Sequence, residues 1–381
     1  MRILAALAAI FLSAVSVGAE TVRIATFNAG LTKPGPGLLV EALRRDDDPQ
    51  LRGVVNILRE IRPAIVLING FDFDFAGVAA EMFRDELAAA GLDYPYHFAG
   101  PVNSGVQSGW DLDGDGKLAG PTDAYGFGRF PGQEGMLLLS VFPLADSGIR
   151  SFRTFRWADL PDALLPVNSD GSPFPSEGAQ SVMRLSSKSH WDVPVRLPGG
   201  MRLHLFASHA TPPVFDGPED MNGRRNHDEI AFWRHYVNGR AFVDDAGTGA
   251  ARADEPFVIL GDLNSDPADG DSLRRAVAGL LADPLVQDPS PASRGGAEAA
   301  AEQAGANRKH TGRPELDTAD WDDEAGPGNL RVDYVLPSRG LPVAAAGVFW
   351  PDKADPLRAL IADGGPRRTR HRLVWVDIAI P

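Results

Sequence analysis

Short apolar runs alternate with helical patterns along most of this chain. Seven β-type runs occur at residues 22–27, 64–68, 136–141, 201–208, 257–260, 331–336 and 373–378. Several are continuously apolar, which is typical of strands buried on both faces. Apolar residues recur with helical spacing at residues 53–61, 78–90, 225–237 and 271–281. This alternation predicts a layered α/β fold, which we interpret as one domain over residues 20–381. Residues 244–255 and 290–305 are rich in Ala, Gly and charge, and we expect surface excursions there.

The first nineteen residues have the pattern of an export signal. Arg2 precedes an apolar stretch at residues 3–17, and a small-residue cleavage site follows at residues 17–19. No later apolar run approaches the ~18 residues that span a bilayer. We therefore expect a mature chain that begins at Glu20, has no membrane span and is periplasmic or secreted.

Composition narrows the range of functions. The chain has 37 basic and 51 acidic side chains and a formal charge of −14, so no overall positive field attracts nucleic acid or anionic lipid. A phosphate site would have to be built locally. The absence of cysteine excludes disulfides, thiol catalysis and thiolate metal sites. Any metal ion must be held by oxygen or imidazole.

Polar side chains lie at or next to five of the apolar runs, and in α/β sheets the carboxyl ends of strands are where ligands bind. In chain order they are Asn28, Ser208 with His209, Asp262 with Asn264, Asp333, and His371. Taken singly, each has an ordinary structural interpretation, because Asn and Asp cap turns and a lone histidine is usually structural. Their combination and order favour one shared site.

That order resembles the endonuclease/exonuclease/phosphatase superfamily, and the resemblance covers residues 21–381. Its most specific parts are Gly-Asp-Leu-Asn at residues 261–264, Arg-Val-Asp-Tyr at residues 331–334 and His-Arg-Leu at residues 371–373. The resemblance implies a four-layer α/β sandwich, in which two packed, mostly antiparallel or mixed β-sheets are flanked by helices. It also implies hydrolysis of phosphate esters.

The resemblance assigns catalytic roles to Asp262, His371, Asn264, His209 and Asp333. Asp262 would orient or deprotonate the attacking water. His371 would donate hydrogen bonds to the non-bridging phosphate oxygens, with Asp333 holding its ring. Asn28 and Asn264 would position the phosphate and the nucleophile. In-line attack on phosphorus needs an activated water, donors for the equatorial oxygens and a countercharge.

The chain departs from the family at two positions that would bind the metal ion supplying the countercharge. Gly70 stands where the family has a metal-binding Glu, and Arg370 stands where it has an Asp that also serves the metal. Asp72 could replace the missing carboxylate and bind Mg²⁺ or Mn²⁺, because side chains two apart on an extended segment share a face. Arg370 could instead bind substrate and supply part of the positive charge. The third alternative is that catalysis has been lost.

The segment at residues 222–229 opens a predicted helix. Arg225 and Asn226 would then lie near a helix N-terminus, which is a natural binding site for phosphate. The alternative is a capped surface helix that binds nothing.

The run at residues 111–117 has the Asp-x-Asp-x-Asp-Gly spacing of a calcium loop. Asp111, Asp113 and Asp115 would converge on one hard cation, although Thr122 stands where a bidentate Glu is usual. We expect a structural calcium ion there, with an empty turn as the alternative.

These observations favour a secreted phosphate-ester hydrolase, and specifically a phosphodiesterase. A small phosphate ester or a phospholipid head group fits the acidic chain better than long nucleic acid does. An extracellular nuclease is one alternative. The other is a non-catalytic protein that binds phosphate esters after losing its metal ligands.

Overall fold

The computed structural model describes residues 20–45, 47–362 and 369–380. The predicted export signal at residues 1–19 lies outside the described residues. Within the described part of the chain, no helix is both long and apolar enough to cross a membrane.

Strands and helices alternate along the described chain. The fifteen strands of this part are β1 Glu20–Leu31, β2 Ile65–Phe71, β3 Tyr96–Phe98, β4 Gly135–Ser140, β5 Arg150–Ser151, β6 His190–Arg196, β7 Arg202–His209, β8 Phe242–Val243, β9 Gly249–Ala250, β10 Phe257–Asp262, β11 Ala319–Asp320, β12 Asn329–Leu330, β13 Asp333–Pro337, β14 Val343–Val348 and β15 Val374–Ile380. Its seven α-helices are α1 Leu38–Arg45, α2 Pro49–Ile61, α3 Val78–Ala89, α4 Glu177–Val182, α5 Met221–Val237, α6 Arg275–Leu281 and α7 Arg294–Glu302.

Two large mixed sheets form the centre of the fold. One has six strands in the order β14-β15-β1-β2-β4-β3, and the other has five in the order β13-β10-β7-β6-β5. The pairs β1–β2 and β7–β10 are parallel, whereas their other neighbours run antiparallel. The carboxyl ends of β1, β2, β7 and β10 are the ends that carry the predicted site residues.

Three large apolar clusters in successive layers form most of the core of the described residues. The inner faces of the two sheets meet in the first cluster, in which Ile24 and Leu67 of one sheet pack with Leu205 and Leu260 of the other. The second cluster joins the outer face of the six-stranded sheet to α1, α2 and α3. The third is rich in aromatic residues and joins the five-stranded sheet to α5 and α6. The predicted sandwich of two mixed sheets flanked by helices is therefore confirmed.

All seven predicted strand regions and all four predicted helix regions coincide with elements of the structure. The sequence reasoning missed β6 and β14. It also missed α7, which lies in the segment predicted to be a surface excursion. Strand β6 contains Pro194, and proline inside an apolar run argues against a central strand. Here β6 is a fully integrated strand that pairs with β7 along its whole length.

Candidate active site

Three neighbouring strands of the five-stranded sheet place three of the predicted residues side by side. In the register of the sheet, Asp262 at the end of β10 is opposite His209 on β7 and opposite Asp333 on β13. All three side chains are buried. The site therefore begins as a row of two carboxylates and one imidazole at a single level of the sheet.

Local backbone geometry fixes Asp262 at this position. Gly261 has φ +144°, and a Cβ atom there would lie 1.9 Å from the carbonyl oxygen of Ser208, so only glycine allows β10 to approach β7 so closely. Two residues after Asp262, Asn264 has φ +48°, and its main-chain N–H donates to Asp262 Oδ1 at 2.9 Å. Its side-chain amide donates to the carbonyl oxygen of Ala210 at 3.0 Å, which ties this turn to the end of β7.

The six-stranded sheet contributes Asn28, whose Nδ2 donates to Asp262 Oδ2 at 2.9 Å. The carbonyl oxygen of Asn28 accepts a hydrogen bond from Thr369 Oγ1 at 2.5 Å, and the same hydroxyl accepts from the main-chain N–H of His371 at 3.0 Å. Thr369 therefore links β1 to the segment that carries His371. This link brings residues that are far apart in the chain to the junction of the two sheets.

His371 is held between two carboxylates. Its Nδ1 lies 2.9 Å from Asp333 Oδ2, and its Nε2 lies 3.7 Å from Asp262 Oδ2. Thr318 Oγ1 donates to Asp333 Oδ2 at 2.9 Å and accepts from the main-chain N–H of Asp333 at 3.0 Å. Although burial opposes the charged form, Asp333 and Asp262 raise the pKa of His371 to about 9. The imidazole is therefore a cation at neutral pH, and its Nε2–H faces Asp262.

The pKa values of Asp262 and His209 are shifted in opposite directions. Burial, reinforced by the nearby charge of Asp333, raises the pKa of Asp262 despite the stabilising effects of His371, His209 and Asn28. Burial lowers the pKa of His209 to about 4, so this ring is neutral, and its Nε2 lies 3.5 Å from Asp262 Oδ2. A carboxylate with a raised pKa is a stronger base.

Two buried polar atoms of the site, Asp333 Oδ1 and His209 Nδ1, have no hydrogen-bond partner within the described residues. Buried polar atoms are normally paired, and exceptions of this kind are common at sites that bind something. The arrangement thus combines a basic carboxylate, a charged histidine that can donate from Nε2 and unpaired polar atoms for a ligand.

The structure gives Asp72 a different position from the one predicted. Its carboxylate accepts hydrogen bonds from Thr32 Oγ1 at 2.8 Å, from Lys33 N at 2.7 Å and from Glu134 N at 3.0 Å. These bonds make Asp72 a brace for three loop segments, and it is not a member of the cluster around Asp262. The reason is local, since Gly70 has φ +69° and the backbone leaves the extended conformation on which the two-residue spacing depends.

The residues around Gly70 do not fit the family's usual metal ion. A Cβ atom at this glycine would lie 2.6 Å from Asn28 Oδ1, so Asn28 fills the place of a longer side chain. Arg370, at the other departing position, lies exposed beside His371. A different donor set does converge, because ligand atoms of Asp262, Asp333 and His371 lie within 4.8 Å of one another and could hold a metal ion.

Arg225 and Asn226 do not form the predicted phosphate site. Helix α5 begins at Met221, so both residues lie beyond its first turn. The buried guanidinium of Arg225 donates to the carbonyl oxygens of Leu185, Tyr125 and Arg184. Asn226 Nδ2 donates to the carbonyl oxygens of Thr211 and Leu263, both at 2.8 Å. Both side chains thus use their donors on the protein itself, and Asn226 joins the ends of β7 and β10 beneath the site.

The acidic loop at residues 111–117 is distinct from the active site. Asp111, Asp113 and Asp115 offer carboxylate oxygens that lie within 4.8 Å of one another. Asp111 accepts the main-chain N–H groups of Gly114 and Gly116, as tight turns of this kind do. The three carboxylates could hold a cation.

Sequence reasoning missed three residues near the site. Thr318 and Thr369 fix Asp333 and His371 through hydrogen bonds of their hydroxyl groups, and no local pattern distinguishes them from surface threonines. Lys188 lies just before β6, where its buried side chain adds positive charge near His209. Only the position of Lys188 ahead of a strand could have drawn attention to it.

Comparison with known proteins agrees with this geometry. The family described as "Endonuclease/Exonuclease/phosphatase family" matches residues 25–355, so the chain belongs to that family. The matched range contains Asn28, His209, Asp262 and Asp333, and His371 follows it. Members of this family are generally metal-dependent hydrolases of phosphate esters. No curated protein matches the sequence.

Solved structures are similar to this chain at low sequence identity, and the first of the three below supports the shared fold. An endonuclease/exonuclease/phosphatase from Beutenbergia cavernae is 17% identical, with 94% of this chain and 72% of that chain covered and a TM-score of 0.50. Sphingomyelinase C from Streptomyces griseocarneus is 19% identical, with 95% and 100% covered and a TM-score of 0.44. A Bacteroides thetaiotaomicron mannosyl-6-phosphatase is 11% identical, with 94% and 100% covered and a TM-score of 0.46.

Proposed function

We propose that this chain is an exported phosphodiesterase that attacks phosphorus with a water activated by Asp262. The observation that carries the proposal is the pairing of Asp262, a buried carboxylate with a raised pKa, with the charged His371 at 3.7 Å. Buried ionisable groups whose pKa values are shifted by desolvation and by specific charged neighbours, as both are here, are typical of catalytic sites. The export signal in the sequence supports a periplasmic or secreted location.

Each step uses groups that the structure brings together. Water attacks phosphorus while Asp262 accepts one of its protons, and the bond between phosphorus and the leaving oxygen breaks. His371 donates from Nε2 to a non-bridging oxygen, where negative charge accumulates. Asp333 and Thr318 keep the imidazole in the orientation that this donation requires. The leaving alkoxide takes a proton from solvent and the proton on Asp262 returns to solvent, so the products are an alcohol and a phosphate monoester.

A divalent ion would be held by Asp262, Asp333 and His371, the group whose ligand atoms converge. Mg²⁺ or Mn²⁺ bound there would supply positive charge to the phosphate oxygens as a Lewis acid. His371 must lose its Nε2 proton to ligate an ion through that atom. Binding of an ion and donation from Nε2 to the phosphate are therefore mutually exclusive at this histidine.

The substrate that we propose is a small phosphate ester or a phospholipid head group. The formal charge of −14 opposes binding along a nucleic-acid backbone, so a nuclease is the weaker alternative. A non-catalytic binding protein is the second candidate, and Gly70 and Arg370 favour it because they replace two carboxylates of the family. The intact set of Asp262, His371 and Asp333 favours the enzyme.

Hydrolysis of bis(p-nitrophenyl) phosphate by the mature chain tests the proposal. The assay is run with EDTA, and then with Mg²⁺ or Mn²⁺ added in excess. Release of nitrophenol that is lost in Asp262→Asn supports the phosphodiesterase. Activity only with an added ion supports an ion at the Asp262 group, and activity in EDTA supports His371 as the cation. No turnover under any condition, together with binding of the ester, establishes the non-catalytic alternative.

A further inference from the structure

Two arginines near the site lie next to each other, and neither forms an ion pair within the described residues. Arg153 and Arg184 lie on adjacent segments, since Leu185 N donates to the carbonyl oxygen of Phe155 at 2.9 Å. Within the described residues, no carboxylate oxygen lies within 4.0 Å of either guanidinium, whereas the nearby Arg156 pairs with Asp159 at 2.8 Å. The carboxylate of Asp245 accepts from the main-chain N–H of Arg153 at 3.2 Å, so an acidic group lies near the two guanidiniums without forming an ion pair with either.

Arg184 is fixed in place by the protein. Its guanidinium carbon lies 3.9 Å from the centre of the Tyr125 ring, and Nη1 donates to Asn103 Oδ1 at 2.8 Å. Burial lowers the pKa of Arg184, and the charge of Arg153 lowers it further. Stacking on an aromatic ring orders the planar fork of an arginine, which reduces the entropy lost when the fork binds an anion.

The two arginines are connected to the active site through buried Asn103. Asn103 Nδ2 donates to the carbonyl oxygens of Arg153 and Ser186, both at 2.7 Å, and its main-chain N–H donates to the carbonyl oxygen of Lys188 at 2.9 Å. The charge of Lys188 in turn acts on His209. These contacts gather the segments that carry Lys188, Arg184 and Arg153 around Asn103, and we call these three cationic residues the cationic row.

Neighbouring contacts anchor this row to the end of β7. The carboxylate of Glu229 accepts from Ser187 N at 2.6 Å and from Thr211 N at 2.5 Å, so the segment before Lys188 and the residues after His209 are held together. Glu134 is the only acidic side chain within 4.0 Å of Lys188 among the described residues. It is 44% exposed and lies 3.6 Å away, so the pairing is loose.

We propose that the cationic row binds a second phosphate group of the substrate, so that the enzyme selects small phosphodiesters that carry a phosphate monoester as well. The inference rests on the proposed function and names the substrate class of the same site. Arg184 supplies a preorganised fork for the second phosphate, and Arg153 and Lys188 add positive charge around it. Arginine forks and phosphate oxygens form paired, charge-assisted hydrogen bonds.

A matched pair of chromogenic esters tests this selection. The two substrates are thymidine 5′-(p-nitrophenyl phosphate) and the same compound with a 3′-phosphate. We expect kcat/KM of the wild type to be about tenfold or more higher for the second compound, mainly through KM. In the double variant Arg153→Gln, Arg184→Gln, the preference should fall to about twofold or less. Arg156→Gln, which alters a paired arginine nearby, should keep the full preference.

The outcomes separate this inference from the proposed function. Equal kcat/KM for the two esters in the wild type, or a preference that survives in the double variant, overturns the cationic row as a subsite. If neither ester is hydrolysed, the proposed function fails, and calorimetric titration with inorganic pyrophosphate tests the row alone. About tenfold weaker binding by the double variant than by Arg156→Gln supports the row, and equal binding overturns it. Matching circular dichroism and melting curves verify that the variants are folded.

Discussion

Two buried histidines in this molecule lie between pairs of carboxylates, at opposite ends of the five-stranded sheet. His371 lies 2.9 Å from Asp333 and 3.7 Å from Asp262, beside the carboxyl end of β10. His204, near the start of β7, lies 2.5 Å from Asp192 and 2.8 Å from Glu255. In both cases the carboxylates raise the pKa of the histidine although burial opposes this.

The two ends differ in how completely their polar atoms are paired. At the His204 end, the second oxygen of Asp192 accepts a hydrogen bond from Tyr236 at 2.7 Å, and that hydroxyl accepts one from Arg150 at 3.0 Å. At the His371 end, Asp333 Oδ1 is buried without a partner among the described residues. A similar charge arrangement therefore stabilises the fold at one end and leaves binding capacity at the other. A raised histidine pKa alone does not identify an active site.

The largest effect is expected from Asp262→Asn. The amide keeps the shape of the side chain but cannot take a proton from water, so kcat should fall by about 10²–10⁴. Turnover of bis(p-nitrophenyl) phosphate measures the loss, and the melting temperature verifies folding. Near-normal turnover would remove Asp262 from the mechanism.

Substituting each histidine by glutamine tests the comparison directly. His371→Gln removes the cation that faces the phosphate, and kcat should fall by about 10²–10³. His204→Gln should leave kcat within about threefold of the wild type, because His204 touches no reacting group. Equal losses of activity in the two variants would contradict the distinction between the two ends.

His204 should contribute to the stability of the fold, and this contribution should depend on pH. His204→Gln should lower the free energy of unfolding by about 1.5–3 kcal/mol at acid pH, because charged hydrogen bonds are lost. Since the pKa of His204 is raised in the folded state, its contribution is fully present below the unfolded pKa and is lost as pH rises through the folded one. Urea melts of both proteins across this range measure the difference, which should shrink with increasing pH. A constant difference would show that His204 is not charged in the folded state.

The acidic loop at residues 111–117 extends the comparison to carboxylates at the surface. We expect calcium to raise the melting temperature by about 1–3 °C, because an ion that binds only the folded state stabilises it by mass action. Asp113→Ala should cancel the increase, and calcium should leave the kcat of the wild type unchanged. The absence of any calcium-dependent shift would leave the loop as a turn held by its own hydrogen bonds.

The sequence predicted the strand ends of this site better than it predicted the fine geometry. Asn28, His209 and Asp262 follow apolar runs, Asp333 lies within one and His371 just precedes the last, and the order of the strands brings these ends together. Asp72 departed from its predicted role because the spacing argument assumes a regular strand, and the backbone turns at Gly70. Arg225 departed because it lies beyond the first turn of α5, which begins at Met221, and because its guanidinium donates to main-chain carbonyl oxygens of the protein itself.

Other parts of the site could not be predicted from the sequence. The hydroxyls of Thr318 and Thr369 act through contacts between residues far apart in the chain, and threonine is common at the surface. The pairing of Arg184 with Tyr125 joins two loops that no periodicity relates. Strand β6 was not predicted because it contains Pro194, and α7 was not predicted because its composition is typical of loops. Such features depend on tertiary packing and cannot be derived from local patterns.

The pH dependence of kcat/KM for bis(p-nitrophenyl) phosphate in EDTA tests the central claim most directly. The mechanism requires Asp262 without a proton and His371 with one. The rate should therefore rise with pH as Asp262, whose pKa is raised, loses its proton, and should fall above pH 9, where His371 loses its charge. The alkaline fall should be absent from the residual activity of His371→Gln. A wild-type rate that keeps rising above about pH 10 would contradict a catalytic role for the charged histidine.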